Sequence, residues 1–204
     1  MLTYIEYISR RPSAPRDGFH AAVARGQEGW AVEYQEDRLL LNVGRTWRIG
    51  PEPEYMAVWY TPDSGLERFT EWERVFVSGE ADAFEKPFEL AARIDFAGCY
   101  EPLLEPVPGS GGPYYAEFFD WAPDATRERV REVFERRAAD LDGLVLNLVV
   151  DRIGHLGPEP RGVAFWALGD FANLDAVARD LVTTNSVVRL VRSGLYADLG
   201  DEIL

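Results

Sequence analysis

The chain has one cysteine, one lysine and two histidines among its 204 residues. A single thiol, Cys99, excludes an intrachain disulfide and any cysteine-cluster metal site, and no neighbour in sequence activates it as a nucleophile. The histidines, His20 and His155, have no second histidine or paired carboxylate at metal-ligand spacing, so neither a metal nor another cofactor is expected. No apolar run approaches the roughly 18 to 20 residues of a membrane helix. Glu6 also interrupts the amino-terminal stretch where a signal peptide would need unbroken apolar residues. The expectation is a soluble, cytoplasmic protein with no membrane partner. Acidic residues outnumber basic ones, 35 to 21: the net charge is −14 and the pI about 4.6, which argues against a nucleic-acid partner because phosphate binding needs a concentrated basic face.

What is abundant is core-forming material. The chain is 47% hydrophobic and 13% aromatic, enough for one large domain or two small ones and too much for a disordered chain.

The tetrapeptide GPEP occurs twice, at residues 50–53 and 157–160, and Trp59 with Trp166 and Asp63 with Asp170 share its offset. Upstream, LLLNV aligns with LVLNL so that Asn42 meets Asn147, at the cost of a two-residue length change in the loop between. YIEYI (4–8) aligns with YAEFF (115–119), and AGCYEPL (97–103) with SGLYADL (193–199). Matches in one order with drifting offsets are the mark of a duplication followed by loop changes. The division expected is a first repeat over 1–104, a Pro/Gly-rich linker over 105–113 and a second repeat over 114–204.

Each half reads as strand, helix, strand, strand, helix, strand. In the second half, Val130, Val133, Phe134, Ala138 and Leu141 form one helical stripe, and Leu174, Val177, Ala178 and Leu181 another behind a capping Asp170. The first half should have a short or frayed first helix, since Gly18, Gly26 and Gly29 interrupt the stripe of Phe19, Val23 and Trp30. A helix opening at Thr61–Pro62 and another near 81–92, broken by Pro87, should follow. GPEP has neither the glycine run nor the lysine of a phosphate loop, and its prolines force the segment out of the sheet.

Two βαββαβ units in one chain resemble ferredoxin-like repeats, and the tandem resembles the dimeric α+β barrel superfamily with both protomers fused. The resemblance implies an α+β fold: two four-stranded antiparallel sheets forming a pseudo-dimeric barrel, helices outside, with a ligand cavity between the sheets of each half. The oligomeric expectation is a monomer with an internal pseudo-two-fold axis, further homodimerisation left open. Relatives range from antibiotic-biosynthesis monooxygenases and muconolactone isomerase to stress-responsive A/B barrel proteins and the haem-binding chlorite dismutases and dye-decolourising peroxidases, so the fold constrains function weakly. Haem relatives are expected to supply an axial histidine from a second-half helix, whereas His155 falls in a hairpin loop.

Strand alternation places Tyr4 with Glu6, and Tyr115 with Glu117, on one face. The more apolar alternate set should meet the helices, leaving these pairs in the barrel interior. There a desolvated Glu6 or Glu117 would be a general base near neutral pH, with Tyr4 or Tyr115 orienting the substrate. The alternative is that both glutamates are solvated or paired with arginines such as Arg45 and Arg152. Asn42 and Asn147 would hold a substrate oxygen, or else terminate or bulge their strands. With Trp59 and Trp166 nearby they resemble the Asn/Trp combination of cofactor-free oxygenases in the superfamily, unless the tryptophans simply fill the core. His155 is an acid or base at a cavity mouth, or a surface histidine. The functional expectation is a barrel that binds a small apolar or aromatic molecule, as a cofactor-independent oxygenase, isomerase or lyase if catalytic. The other is a non-catalytic structural or partner-binding barrel with a filled core.

Overall fold

The computed structural model describes every residue except 51–53, 110, 184–185 and 200–204. The first half supplies strands β1 (Leu2–Arg10), β2 (Arg38–Arg45), β3 (Tyr55–Thr61) and β4 (Ala92–Pro102), with helices α1 (Arg16–Glu33), α2 (Arg68–Ser78) and α3 (Asp82–Ala91). The second supplies β5 (Tyr114–Trp121), β6 (Val145–Arg152), β7 (Gly162–Ala167) and β8 (Val188–Asp198), with helices α4 (Arg127–Asp140) and α5 (Leu174–Thr183). All pairs are antiparallel, and the strands close into one barrel in the order β1-β3-β2-β8-β5-β7-β6-β4. Each half thus contributes four adjacent strands, and the β2–β8 and β4–β6 pairings join them. The fold is α+β, as expected, but with one continuous sheet in place of two facing ones.

Local sequence explains where the second-half helices start. Thr126 caps α4 by accepting from the Arg129 backbone N–H, and Asp170 accepts from Ala172 to start a short 3₁₀ turn that runs into α5. The second-half stripes bury Val130, Phe134 and Val177; the side chain of Leu181 lies outside the described residues. Three first-half expectations fail. α1 is a continuous 18-residue helix, because burying Phe19, Val23 and Trp30 outweighs the propensity cost of its glycines. α2 begins at Arg68, since residues 62–67 form turns, and α3 passes through Pro87 without ending.

The barrel interior is filled. Ile5, Tyr7, Val43, Met56 and Val58 meet Ala116, Phe118, Val150, Val163 and Phe165 there, with Tyr100 and Tyr196 fully buried among them. Helices cover the outer faces through two further apolar clusters, one in each half. The expected cavity between sheets is therefore replaced by packed side chains.

The hairpin loops explain the repeated glycine. Gly157 approaches Gly98 of β4 so closely that a Cβ at 157 would lie 2.8 Å from the Gly98 Cα; Gly50 stands in the same relation to Gly194 of β8, at 2.7 Å. Backbone bonds fix both crossings: Cys99 N–H donates to the Leu156 carbonyl, and Leu195 N–H to that of Ile49. Each half's hairpin laps onto the other half's last strand. Positions 51–53 of the first GPEP lie outside the described residues. Gly98 is constrained twice, since a Cβ there would also meet the Tyr100 ring at 2.6 Å. Gly98→Ala is expected to cost about 2–3 kcal/mol by overpacking a site with no room to yield, read as a lower midpoint in urea unfolding.

Candidate functional site

Because the apolar set Ile5 and Tyr7 points into the barrel, Tyr4 and Glu6 point outward beneath the helices. Glu117 does the same in the second half. The expected facing is inverted: a closed barrel draws the larger apolar surface to its middle, and the helix layer receives the glutamates. The register is identical in the two halves. Tyr4 lies opposite Trp59 and Glu6 opposite Ala57; Tyr115 lies opposite Trp166 and Glu117 opposite Ala164. In both, the indole N–H donates to the glutamate, at 3.2 Å from Trp59 to Glu6 and 2.9 Å from Trp166 to Glu117.

The halves diverge in what else reaches the carboxylate. Glu117 is fully buried and bound by both terminal nitrogens of Arg137 on α4, each at 2.8 Å. The Arg137 Nε donates to Asp180 of α5 at 2.6 Å, and its guanidinium lies 4.8 Å from the Trp166 ring. A bidentate pair with a second carboxylate and an aromatic face satisfies a buried charge well. In the first half α1 presents Gln27 instead, which donates to Glu6 Oε2 at 3.3 Å. A shorter, neutral side chain leaves a cavity of about 280 Å³ against the sheet, walled by Tyr4, Trp30, Trp59, Trp72, Phe76 and Phe88, with Glu85 of α3 entering beside Glu6.

The electrostatics follow from that vacancy of positive charge. Burial pushes Glu6 up to about 7, with Glu85 adding to the rise and the bonds from Trp59 and Gln27 opposing it. Burial and then Glu89 raise Glu85, also to about 7. Tyr4 is pushed well above the ordinary phenol range by burial and the neighbouring Glu6. Cys99 is likewise raised by burial, so it makes a poor nucleophile. Behind the cavity, buried Asp37 accepts from the Trp30 indole at 3.0 Å, the Trp72 indole at 2.8 Å, Thr61 and Arg68. Burial alone would raise Asp37, but the Arg68, Trp72, Trp30 and Thr61 bonds together hold it below its usual value. This node fixes the two tryptophan walls.

The sequence-derived set is thus partly assembled. Tyr4, Glu6 and Trp59 meet at the cavity, and Tyr115, Glu117 and Trp166 meet at the filled counterpart. Asn42 and Asn147 are not counterparts: Leu39 pairs with Trp59 and Leu146 with Trp166, so Asn42, opposite Ala57, corresponds to Val149, opposite Ala164. One offset serves the whole hairpin, with no length change. Asn147 sits at a β-bulge and donates to the carbonyls of Val107 and Pro108, holding the connecting segment; Asn42 does not line the cavity. His155 is exposed in the β6–β7 loop. Arg45 and Arg152 bind their own hairpin loops, at Gly50 and at Gly157 to Glu159, and neither bonds a strand glutamate. Gln27, Glu85 and Arg137 were missed, although Gln27 falls on the Phe19–Val23–Trp30 stripe and Arg137 on the Val130–Phe134–Leu141 stripe, and a polar residue on a buried stripe is a signal. Arg137→Gln is expected to destabilise the protein by about 3–5 kcal/mol, because it strands Glu117, measured by chemical denaturation.

No protein-family model and no curated protein matches the sequence. Solved structures do match over almost the whole chain. A haem-binding protein from Thermus thermophilus superposes with a TM-score of 0.59 at 10% identity, covering 97% of this chain and 91% of that one. A chlorite dismutase variant from Candidatus Nitrospira defluvii, in complex with cyanide, gives a TM-score of 0.56 at 8% identity with the same coverage. A haem held by a histidine from a second-half helix does not fit the residues present, since α4 and α5 contain no histidine and Arg137 fills the space between Glu117 and Trp166. The first-half cavity is lined by no histidine, cysteine or methionine either. No described helix is long and apolar enough to cross a membrane. At such low identities the likeness establishes architecture alone: this chain has the same α+β barrel fold as the chlorite dismutase-like structures.

Proposed function

We propose that the protein binds a small, largely apolar or aromatic molecule in the first-half cavity, between the outer face of β1 and β3 and the three helices α1 to α3. One observation carries this: two carboxylates with raised pKa values, Glu6 and Glu85, share an aromatic-walled cavity, while the matching carboxylate of the second half is held bidentately by Arg137. Burying an unpaired carboxylate is costly, and a stable chain retains such an arrangement where a ligand uses it. At about 280 Å³ the cavity lies at the small end of ligand sites, commonly ~300–1,000 Å³. Glu6 Oε1 accepts no hydrogen bond among the described residues, so it is available to take a proton from, or hold a donor of, the bound molecule. Cofactor-independent proton transfer is the catalytic form of this proposal.

The same proposal accounts for the two halves. Matching strand order and register and reciprocal glycine crossings support a duplicated βαββαβ unit, with one helix added in the first copy and a connecting segment near 105–113, in which one copy kept an open site and the other closed it.

Trp30, Trp59 and Trp72 line the cavity and report its occupancy. Small aromatic fragments should perturb their fluorescence saturably, and Gly26→Leu, which fills the α1 wall, should abolish the effect. Fragment binding that survives Gly26→Leu unchanged would place the ligand elsewhere.

A second outcome concerns pH. The folded state holds the Glu6 proton up to about 7, whereas an unfolded glutamate releases it near 4.5. Between those values the folded chain binds more protons, so stability falls as pH rises through the window and levels off above it. Glu6→Gln should therefore gain on the order of 1–2 kcal/mol over the parent at pH 8 and little at pH 4, by urea unfolding at each pH. Glu85 titrates in the same window, so part of the slope should remain.

A further inference from the structure

The first-half cavity presents hydrogen-bond acceptors without matching donors. Glu6 Oε1 and both Glu85 oxygens accept nothing from the described residues, and the Gln27 Oε1 is buried with no partner. The three wall indoles are engaged, Trp59 on Glu6 and Trp30 and Trp72 on Asp37. No lysine, arginine or histidine lines the space. A bound molecule therefore finds aromatic faces, two carboxylates and an amide oxygen, a combination that suits a cation with several N–H groups.

The second half shows what such a site holds. There the guanidinium of Arg137 occupies the position between the first-strand glutamate, Glu117, the third-strand tryptophan, Trp166, and Asp180 of the helix that precedes the last strand. Every surrounding group has a first-half counterpart: Glu6, Trp59, and Glu85 on α3, which precedes β4 as α5 precedes β8. Only the cation is replaced, by Gln27, whose Nε2 reaches the same carboxylate oxygen as the indole and goes no further.

Resting on the small-molecule site proposed above, we infer that its ligand is an organic cation: an amidinium, guanidinium or ammonium group on a compact apolar or aromatic body, seated on Glu6 and Glu85 where Arg137 seats itself in the second half. The aromatic walls take the body and the carboxylates take the charged head.

The test is a comparison of probes of one shape and different charge. Benzamidine and benzylamine, against benzamide and benzyl alcohol, are titrated into the full chain at pH 8 and followed by tryptophan fluorescence and calorimetry. The cations should bind at least ten times more tightly than the neutral pair, and Glu6→Gln should remove most of that difference. Gln27→Arg should recreate the second-half arrangement, so it should abolish cation binding while raising the melting temperature. Equal binding of charged and neutral probes would overturn the cation inference and leave the small-molecule site standing. Absence of binding by all four, with the parent folded, would overturn both. Retained cation binding in a stable Gln27→Arg variant would show that the probe sits elsewhere and would sink the inference alone.

Discussion

The middle of the barrel is occupied, and the parity of every strand follows from that. Closure forces the larger apolar side chains of eight strands to share one volume, where Tyr100 and Tyr196 fold back over Gly98 and Gly194 and leave no space for a ligand. Alternation then obliges the opposite set to meet the helices. Glu6 and Glu117 are placed under those helices by the packing of their neighbours, whatever their own preference for water. A carboxylate fixed in that layer needs a partner, and the helix residue above it decides whether the partner belongs to the protein.

One chain contains two answers. Arg137 supplies a fork of donors, stacks on an aromatic ring and reaches a second carboxylate, so the second-half site is closed and its buried glutamate is paired. Gln27 supplies one hydrogen bond and no charge, so the first-half site stays open and its glutamates hold their protons to near neutrality. The open site is nevertheless rigid on its far side. Asp37 fastens Trp30 of α1 and Trp72 of α2 to one point and is itself neutralised by Arg68, so the walls do not depend on an occupant. Preorganisation of this kind lowers the ordering cost of binding.

Much of the fold was legible in the sequence because it rests on periodicity. Period-two strands, helical stripes and paired segments such as AGCYEPL and SGLYADL report local geometry directly. The grouping of Tyr4, Glu6 and Trp59 was legible for the same reason. The facing of Glu6 was not, since alternation separates two faces but does not say which one a closed barrel keeps inside. Asn42 was misaligned with Asn147 because identity of a single letter outweighed the tryptophan offset that the backbone register follows. Glu85 had no signal at all: its role depends on how close α3 comes to β1, which is a tertiary fact.

The difference between the halves also assigns them different thermodynamic roles. A pair such as Glu117 and Arg137 gains its full interaction in the folded chain alone, and its loss would leave a charge buried without relief. The first half lacks that stabilisation, so on the proposed reading part of its stability is deferred to binding. Any molecule that binds the folded chain and not the unfolded one adds RT ln(1 + [L]/Kd), with a sign that can only stabilise. The substitution that separates Gln27 from Arg137 therefore changes more than a hydrogen bond. On the reading proposed above, it exchanges an internal cation, held at high effective concentration by the fold, for an external one whose supply can vary, and so would make the packing of α1 and α3 on the barrel respond to what is dissolved around it.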